Sequence, residues 1–369
     1  MQIPASQAGN TTMLYFQGGN SMRKFDYSFL DNGVLPARLV SLAGNIYSLK
    51  TAAGMRKDDY TEIFTALEAV ARVQSVKSSN AIEGIVTSDK RITEIVNGSS
   101  APLNHNEAEI AGYRDALNIV HLEYNAMDFC ERDILRLHEA MMSFTPDGFG
   151  GQYKTDDNVI LEIDTDGNRR VRFRPVPASE TSAAMEQLEL AYLDARSNSN
   201  INQLLLIPCV ILDFLCIHPF RDGNGRMSRL LSLLLLYKNG FDAGKYISFE
   251  EQINNYKSYY YESLKESSDR WENGENDYMP FITNFLSTLY MCYKELGRRF
   301  AIMNSGRVTK KSRVEAVVLE SLTPISKSEV CGILPDVSPT TVETVLGEMV
   351  KSGLIRKIGQ GRNTRYLKI

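Results

Sequence analysis

Apolar residues recur along the chain at helical spacing, and that pattern predicts most of its elements. From Tyr60 to Ser78 the positions Ile63, Leu67, Val70 and Val73 form one stripe, which predicts an amphipathic helix running on towards Ser79–Gly84, with Gly84 as its stop. Similar stripes predict helices at Ala108–Ala126, Glu131–Phe144, Ser182–Arg196 and Ile201–Ile217. After Arg226 a strongly apolar helix runs to Asn239 or Gly240, and further helices are expected at Phe249–Asp269 and Tyr278–Asn304. The period changes at Asn158–Ile163 and Arg169–Arg174, where side chains alternate around the turn DTDGN. That reads as a β-hairpin, ended by Pro175 and Pro177.

Beyond a polar linker at Asn304–Lys311, three short helices are expected at Arg313–Leu322, Ser326–Leu334 and Pro339–Ser352. Two strands, Leu354–Lys357 and Arg365–Ile369, follow, which is the order of a winged helix-turn-helix. The fold class is therefore mainly α, with a β-hairpin in the helical body and a small C-terminal α+β winged-helix domain. The domains expected are a polar, flexible start (1–22), an N-terminal helical segment (23–100), a helical core (101–308) and the winged helix (309–369).

Composition narrows the classes. The 369 residues are 43% hydrophobic and 23% charged, as in an ordinary globular protein, and the net charge of -4 argues against coating nucleic acid by bulk electrostatics. Five cysteines (Cys130, Cys209, Cys216, Cys292, Cys331) are scattered without a CxxC pair, which suggests reduced thiols. The start has no basic region leading into an apolar one, so no secretory signal is expected. Leu204–Ile217 is too short to span a bilayer and contains Pro208 and Asp213. A cytoplasmic enzyme without a membrane partner is the expectation.

The chemistry gathers in twelve residues, His218-Pro219-Phe220-Arg221-Asp222-Gly223-Asn224-Gly225-Arg226-Met227-Ser228-Arg229, between two apolar helices. Gly223 and Gly225 suit a tight turn with exposed amides, and the helix after them presents unpaired N–H groups to an anion. Arg226 and Arg229, three apart, share the face above that nest and suit a polyphosphate. Asp222 can give a hard oxygen to a Mg²⁺ ion that bridges phosphates. His218 is the neighbouring side chain that titrates near neutrality and is the natural general base. A base beside a phosphate cradle points to a hydroxyl attacking phosphorus. Phe220 is expected to anchor the loop in the core. Asp164, Asp166 and Asn168 lack the spacing of a calcium loop.

This string matches HxFx[D/E]GNGRxxR at every defined position and so resembles the Fic (filamentation induced by cAMP) family. The resemblance implies a mainly helical fold and a protein adenylyltransferase that uses ATP with Mg²⁺. On it His218 is the base for the target hydroxyl and Asp222 the Mg²⁺ ligand. Gly223, Asn224 and Gly225 form the anion hole, Arg226 contacts the nucleotide phosphates and Arg229 the γ-phosphate. The hairpin resembles the family's flap, which aligns the target by adding a strand. Ser79–Gly84 (SNAIEG) matches the inhibitory motif [S/T]xxxE[G/N] of the same family. Ser79 and Glu83 are i and i+4, so Glu83 can reach a guanidinium while Ser79 supports it. By resemblance that guanidinium is Arg229. A bidentate grip would deny it to a γ-phosphate.

The resemblance implies an unknown target protein, self-modification and a homodimer, and leaves open whether Glu83 also serves AMP removal. Residues 309–369 hold ten Lys/Arg and six Asp/Glu, enough to permit DNA contact. Their recognition helix nevertheless carries Glu343 and Glu348 with only Lys351, and the positive charge lies in the wing, so protein docking or dimerisation stands beside DNA binding. A DNA-binding regulator with a nucleotide-sensing core is the alternative of a different class, as is transfer of another phosphate-containing group within the enzyme class.

Overall fold

The structure is a computed structural model that describes residues 23–57, 60–146, 148–163, 169–304, 309–321, 324–334, 337–361 and 364–368. The polar start (1–22), the hairpin turn (164–168) and half of the linker (305–308) lie outside the described residues. The elements in chain order are α1 (Phe29–Asn32), α2 (Ala37–Lys57), α3 (Thr61–Ile82), α4 (Asp89–Val96), α5 (His105–Glu123), α6 (Glu131–Met142), β1 (Ile160–Ile163), β2 (Arg169–Phe173), α7 (Thr181–Ser197), α8 (Gln203–Ile217) and α9 (Asn224–Lys238). They continue with α10 (Phe249–Asn255), α11 (Lys257–Ser268), α12 (Met279–Asn304), α13 (Lys310–Glu320), α14 (Lys327–Ile333), α15 (Pro339–Lys351), β3 (Ile355–Ile358) and β4 (Arg365–Lys368). The chain is mainly helical, as the periodicity required.

Helix α8 is apolar on every side, and Leu204–Ile217 is buried throughout. Such a helix belongs in the middle of a core. It packs on α7, α9, α11 and α12, while α3 packs on α5 and α10. One hydrophobic core runs from Phe25 to Phe300, so residues 23–100 share their packing with the helices that follow. A second core joins Val314 to Ile355 from α13, α14, α15 and β3. There β3 pairs antiparallel with β4, and Ile325 bridges Tyr366.

Three departures from the sequence expectation have local causes. The long helix α2 escaped notice because its buried positions, Leu39, Ala43, Ile46 and Ala53, are partly alanines that barely register as a stripe. The single helix expected over Phe249–Asp269 is two, because Tyr256 leaves helical dihedrals at φ -120° and ψ 35°. Helix α9 starts at Asn224, two residues before the expected start, with Gly223 at φ +80° as its N-cap.

β1 and β2 pair antiparallel, with Leu161 opposite Val171 and Glu162 opposite Arg170. Lys265 of α11 and Arg170 both bind Glu162, at 2.7 and 3.0 Å, so the hairpin is tied down on α11. The five cysteines are free, three of them buried. Among the described residues no helix is long and apolar enough to cross a membrane.

Candidate active site

The loop 218–223 joins the C-terminus of α8 to the N-terminus of α9, and its shape is fixed from below. Phe220 is fully buried and stacks on His138 of α6, with ring centroids 3.7 Å apart. His138 accepts the Gly151 N–H at Nδ1 (3.0 Å), so its proton sits on Nε2, which reaches Asp222 O at 3.2 Å. Asn224 closes the loop: its Oδ1 accepts the Phe220 N–H (2.9 Å) and its Nδ2 donates to Phe220 O (2.7 Å). The Asn224 side chain is thus spent on the loop, and what it offers an anion is its backbone N–H. Asn224, Gly225 and Arg226 open α9, and their N–H groups precede the first intrahelical acceptor.

His218 sits in the left-handed region at φ +52°, which few side chains adopt without a supporting frame. Lys154 supplies that frame from the segment before the hairpin. Its backbone N–H donates to Pro219 O (2.9 Å) and its Nζ to Ile217 O (3.2 Å), the carbonyls on either side of His218. Nζ also donates to Asn158 Oδ1 (3.0 Å), and Asn158 Nδ2 donates to Phe220 O (3.2 Å). Burial lowers the Lys154 ammonium to about 8.

His218 Nδ1 lies 3.3 Å from Leu215 O, which can only accept, so in the neutral ring the proton is on Nδ1 and Nε2 keeps its lone pair. Burial pushes the imidazole down to about 4; Lys154 adds to this, while the Leu215 bond and the Glu83 and Asp222 charges oppose it. The His218 ring is therefore neutral at physiological pH.

Asp222 is 61% exposed at its side chain; Oδ1 takes the Gly223 N–H (2.6 Å) and Oδ2 lies 3.4 Å from Arg226 Nη2. No group of three metal-ligating side chains occurs among the described residues. One open carboxylate suits a magnesium that arrives with phosphates, which usually takes one or two carboxylates. Arg226 is buried, with Nη1 2.6 Å from Glu109 Oε2 of α5, in a geometry that makes an ion pair rather than an aligned hydrogen bond.

Arg229 is 2% exposed at its side chain. Its Nε donates to Ser79 Oγ (2.8 Å), and Nη2 donates to Ser79 O (2.9 Å) and Glu83 Oε1 (2.8 Å). The carboxylate grip is through one oxygen, not two, with Ser79 giving the other contacts. Burial depresses the guanidinium and the Glu83 charge raises it, with a net upward shift. Gly225 is helical, not left-handed, and has another reason to be glycine: a Cβ there would overlap Glu83 Oε1. Gly223 does need its positive φ, and a Cβ on it would overlap Met141 Cε.

Glu83, His218, Gly225 and Arg229 share one cavity of about 290 Å³, whose other walls are hairpin residues Ile160, Arg172 and Phe173 and α11 residues Tyr260, Tyr261, Leu264 and Ser268. The sequence motif therefore converges in space with the SNAIEG segment. Lys154, Asn158, His138 and Glu109 had not been singled out. GGQYK stood just before the hairpin, and the buried polar positions of α5 and α6 were the available signal.

Residues 128–236 match the model of the Fic/DOC family. Over 120 residues the chain is 28% identical to a Fido domain-containing protein of Dictyostelium discoideum, covering 32% of this chain and 78% of that one. The fold is similar to a Fic family protein from Desulfovibrio desulfuricans G20, with a TM-score of 0.60, 21% identity, and 91% of this chain and 97% of that one covered. A Fic domain containing signaling protein from Bacteroides thetaiotaomicron VPI-5482 is similar at a TM-score of 0.56 and 19% identity, over 68% of this chain and 95% of that one. The chain carries a domain of the Fic/DOC family. Its site is in general that of a transferase of nucleotidyl or other phosphate-containing groups.

Proposed function

We propose that the chain transfers AMP from ATP, bound with Mg²⁺, to a hydroxyl side chain of a protein, itself included, and that Glu83 restrains the transfer. The observation that carries this reading is His218: neutral, with Nδ1 turned to Leu215 O and Nε2 left as an acceptor beside the start of α9. The target hydroxyl gives its proton to Nε2 as its oxygen bonds to the α-phosphorus. The bond from that phosphorus to the bridging oxygen breaks, and pyrophosphate leaves.

The first-turn N–H groups of α9 and Arg226 face the charge that builds on the transferring phosphoryl group, and Glu109 keeps Arg226 in place. Magnesium carried with the nucleotide would be held by Asp222 and would neutralise phosphate charge. Arg229 would take the terminal phosphate, and Glu83 occupies the donor it would use. β1 pairs only with β2 among the described residues, which leaves an edge for a target main chain.

Intact mass of wild type, Glu83→Gly and His218→Ala after incubation with Mg-ATP tests the reading. One AMP-sized gain is expected, largest in Glu83→Gly and absent in His218→Ala. A gain that survives in His218→Ala removes His218 as the base, and no gain in Glu83→Gly, alone or with added protein targets, removes AMP transfer.

A further inference from the structure

The cavity beside His218 contains a cation with no role so far. Arg172 lies on β2, two positions beyond Arg170 and so on the same face of the hairpin. Arg170 is paired with Glu162 at 3.0 Å. Arg172 has no carboxylate within ion-pair distance among the described residues, and its hydrogen bond to Ser268 Oγ is long, at 3.5 Å. Ser268 Oγ in turn donates to Lys265 O at 3.2 Å. The Ser268 proton is thus committed to its own helix, and the donors that this end of the cavity offers a ligand are those of Arg172. Burial depresses the Arg172 guanidinium, with the Glu162 charge opposing. A half-buried guanidinium without a counter-ion costs desolvation that the fold does not return, and a ligand acceptor would offset it.

The position suggests which part of a ligand arrives there. Helix α11 lines the cavity from Tyr260, which feels the charges of both Arg229 and Arg172, to Ser268, which the Arg172 guanidinium contacts. Eight residues of helix separate them, about 12 Å. Phosphate donors lie at the Arg229 end, and the walls between are mostly apolar and aromatic, as in a pocket for a flat ring. A nucleotide with its phosphates at α9 would place its base at Arg172.

We propose that Arg172 contacts the base of the bound nucleotide through an acceptor on the base edge, so that nucleoside affinity and base choice are set from the hairpin. The proposal rests on the nucleotide-transfer reading above. Its test is calorimetric titration of full-length Glu83→Gly protein, with and without Arg172→Leu, using Mg²⁺ with a non-hydrolysable ATP analogue and, separately, inorganic tripolyphosphate. Arg172→Leu is expected to weaken the ATP analogue about tenfold and tripolyphosphate less than about twofold, since a charged hydrogen bond is lost at the base alone. Leu264→Trp, which narrows the cavity from α11 midway between Tyr260 and Ser268, is expected to show the same split without substituting Arg172. Unchanged affinity for the analogue in Arg172→Leu overturns the proposal. So does an equal loss for tripolyphosphate in a variant whose melting temperature is unchanged, which would make Arg172 a phosphate ligand. Binding of neither compound by the parent overturns the nucleotide reading itself.

Discussion

Removal of Glu83 should free Arg229 without loosening it. Of the hydrogen bonds that hold the guanidinium, one comes from Glu83 and two from Ser79, through its hydroxyl and its carbonyl. Glu83→Gly deletes the first and leaves the Ser79 pair, so the arginine stays placed with one N–H of Nη2 freed and the other still on Ser79 O. An enclosed hydrogen bond between charged groups contributes about 1.5–3 kcal/mol. The Glu83 side chain is 32% exposed, so screening brings the latch towards about 1–2 kcal/mol. At 1.4 kcal/mol per tenfold, kcat/KM for ATP should rise about 5- to 30-fold, read as the initial rate of AMP gain at subsaturating ATP. Ser79→Ala in the Glu83→Gly background should return part of that gain, because Nε then loses its acceptor. A change below about twofold in Glu83→Gly would refute the latch. A rise in Ser79→Ala alone equal to that in Glu83→Gly would refute the division of labour between the two residues.

Gly225→Ala should lower transfer even in the Glu83→Gly background, by about tenfold or more in the same assay, because the methyl enters space beside Arg229 that the terminal phosphate needs. Asn224→Ala leaves the buried Phe220 N–H without a partner and its C=O with Asn158 alone, and should cost roughly 1–3 kcal/mol in urea unfolding, with transfer reduced. The rate of Glu83→Gly should keep its base limb down to about pH 4, because burial holds His218 there; an acid limb near 6.5 would contradict a desolvated base. Burial also depresses His138 to about 4 and His121 to about 3. The folded state then binds fewer protons than the unfolded one below the ordinary value of 6.5, so stability is full above that value and is lost as pH falls towards 4. A melting temperature unchanged between pH 7.5 and pH 5 would contradict this.

Much of this was legible in the chain because the elements around the site are strongly apolar. α8 is apolar on every side and α9 is so from Leu230 to Leu236 except at Ser232, and the stretch between those runs carries its chemistry in consecutive positions. The meeting of Glu83 with Arg229 was legible only through the motif, since residues 146 apart in sequence have no periodic relation. What stayed hidden were the residues that shape the loop from outside it. His138 and Glu109 sit on amphipathic helices where a buried polar side chain is indistinguishable from a solvated one until the partner helix is placed. Asn224 looked like part of the anion nest because its neighbours are glycines, but its side chain is turned back to Phe220. Arg172 stands in a run of arginines, and only the cavity separates it from Arg170.

The clamp that Lys154 places on the carbonyls flanking His218 also sets how the site loosens. Its amide cannot open towards solvent without releasing Pro219 O, and the loop cannot swing away without releasing both the Lys154 amide and its ammonium. The base of the hairpin and the loop 218–223 therefore form one opening unit in native-state hydrogen exchange, with the amides of Lys154 and Phe220 protected to the same degree. A target strand that settles on the hairpin would slow that shared opening, so the slowest-exchanging form of the site would be the one already holding its substrate.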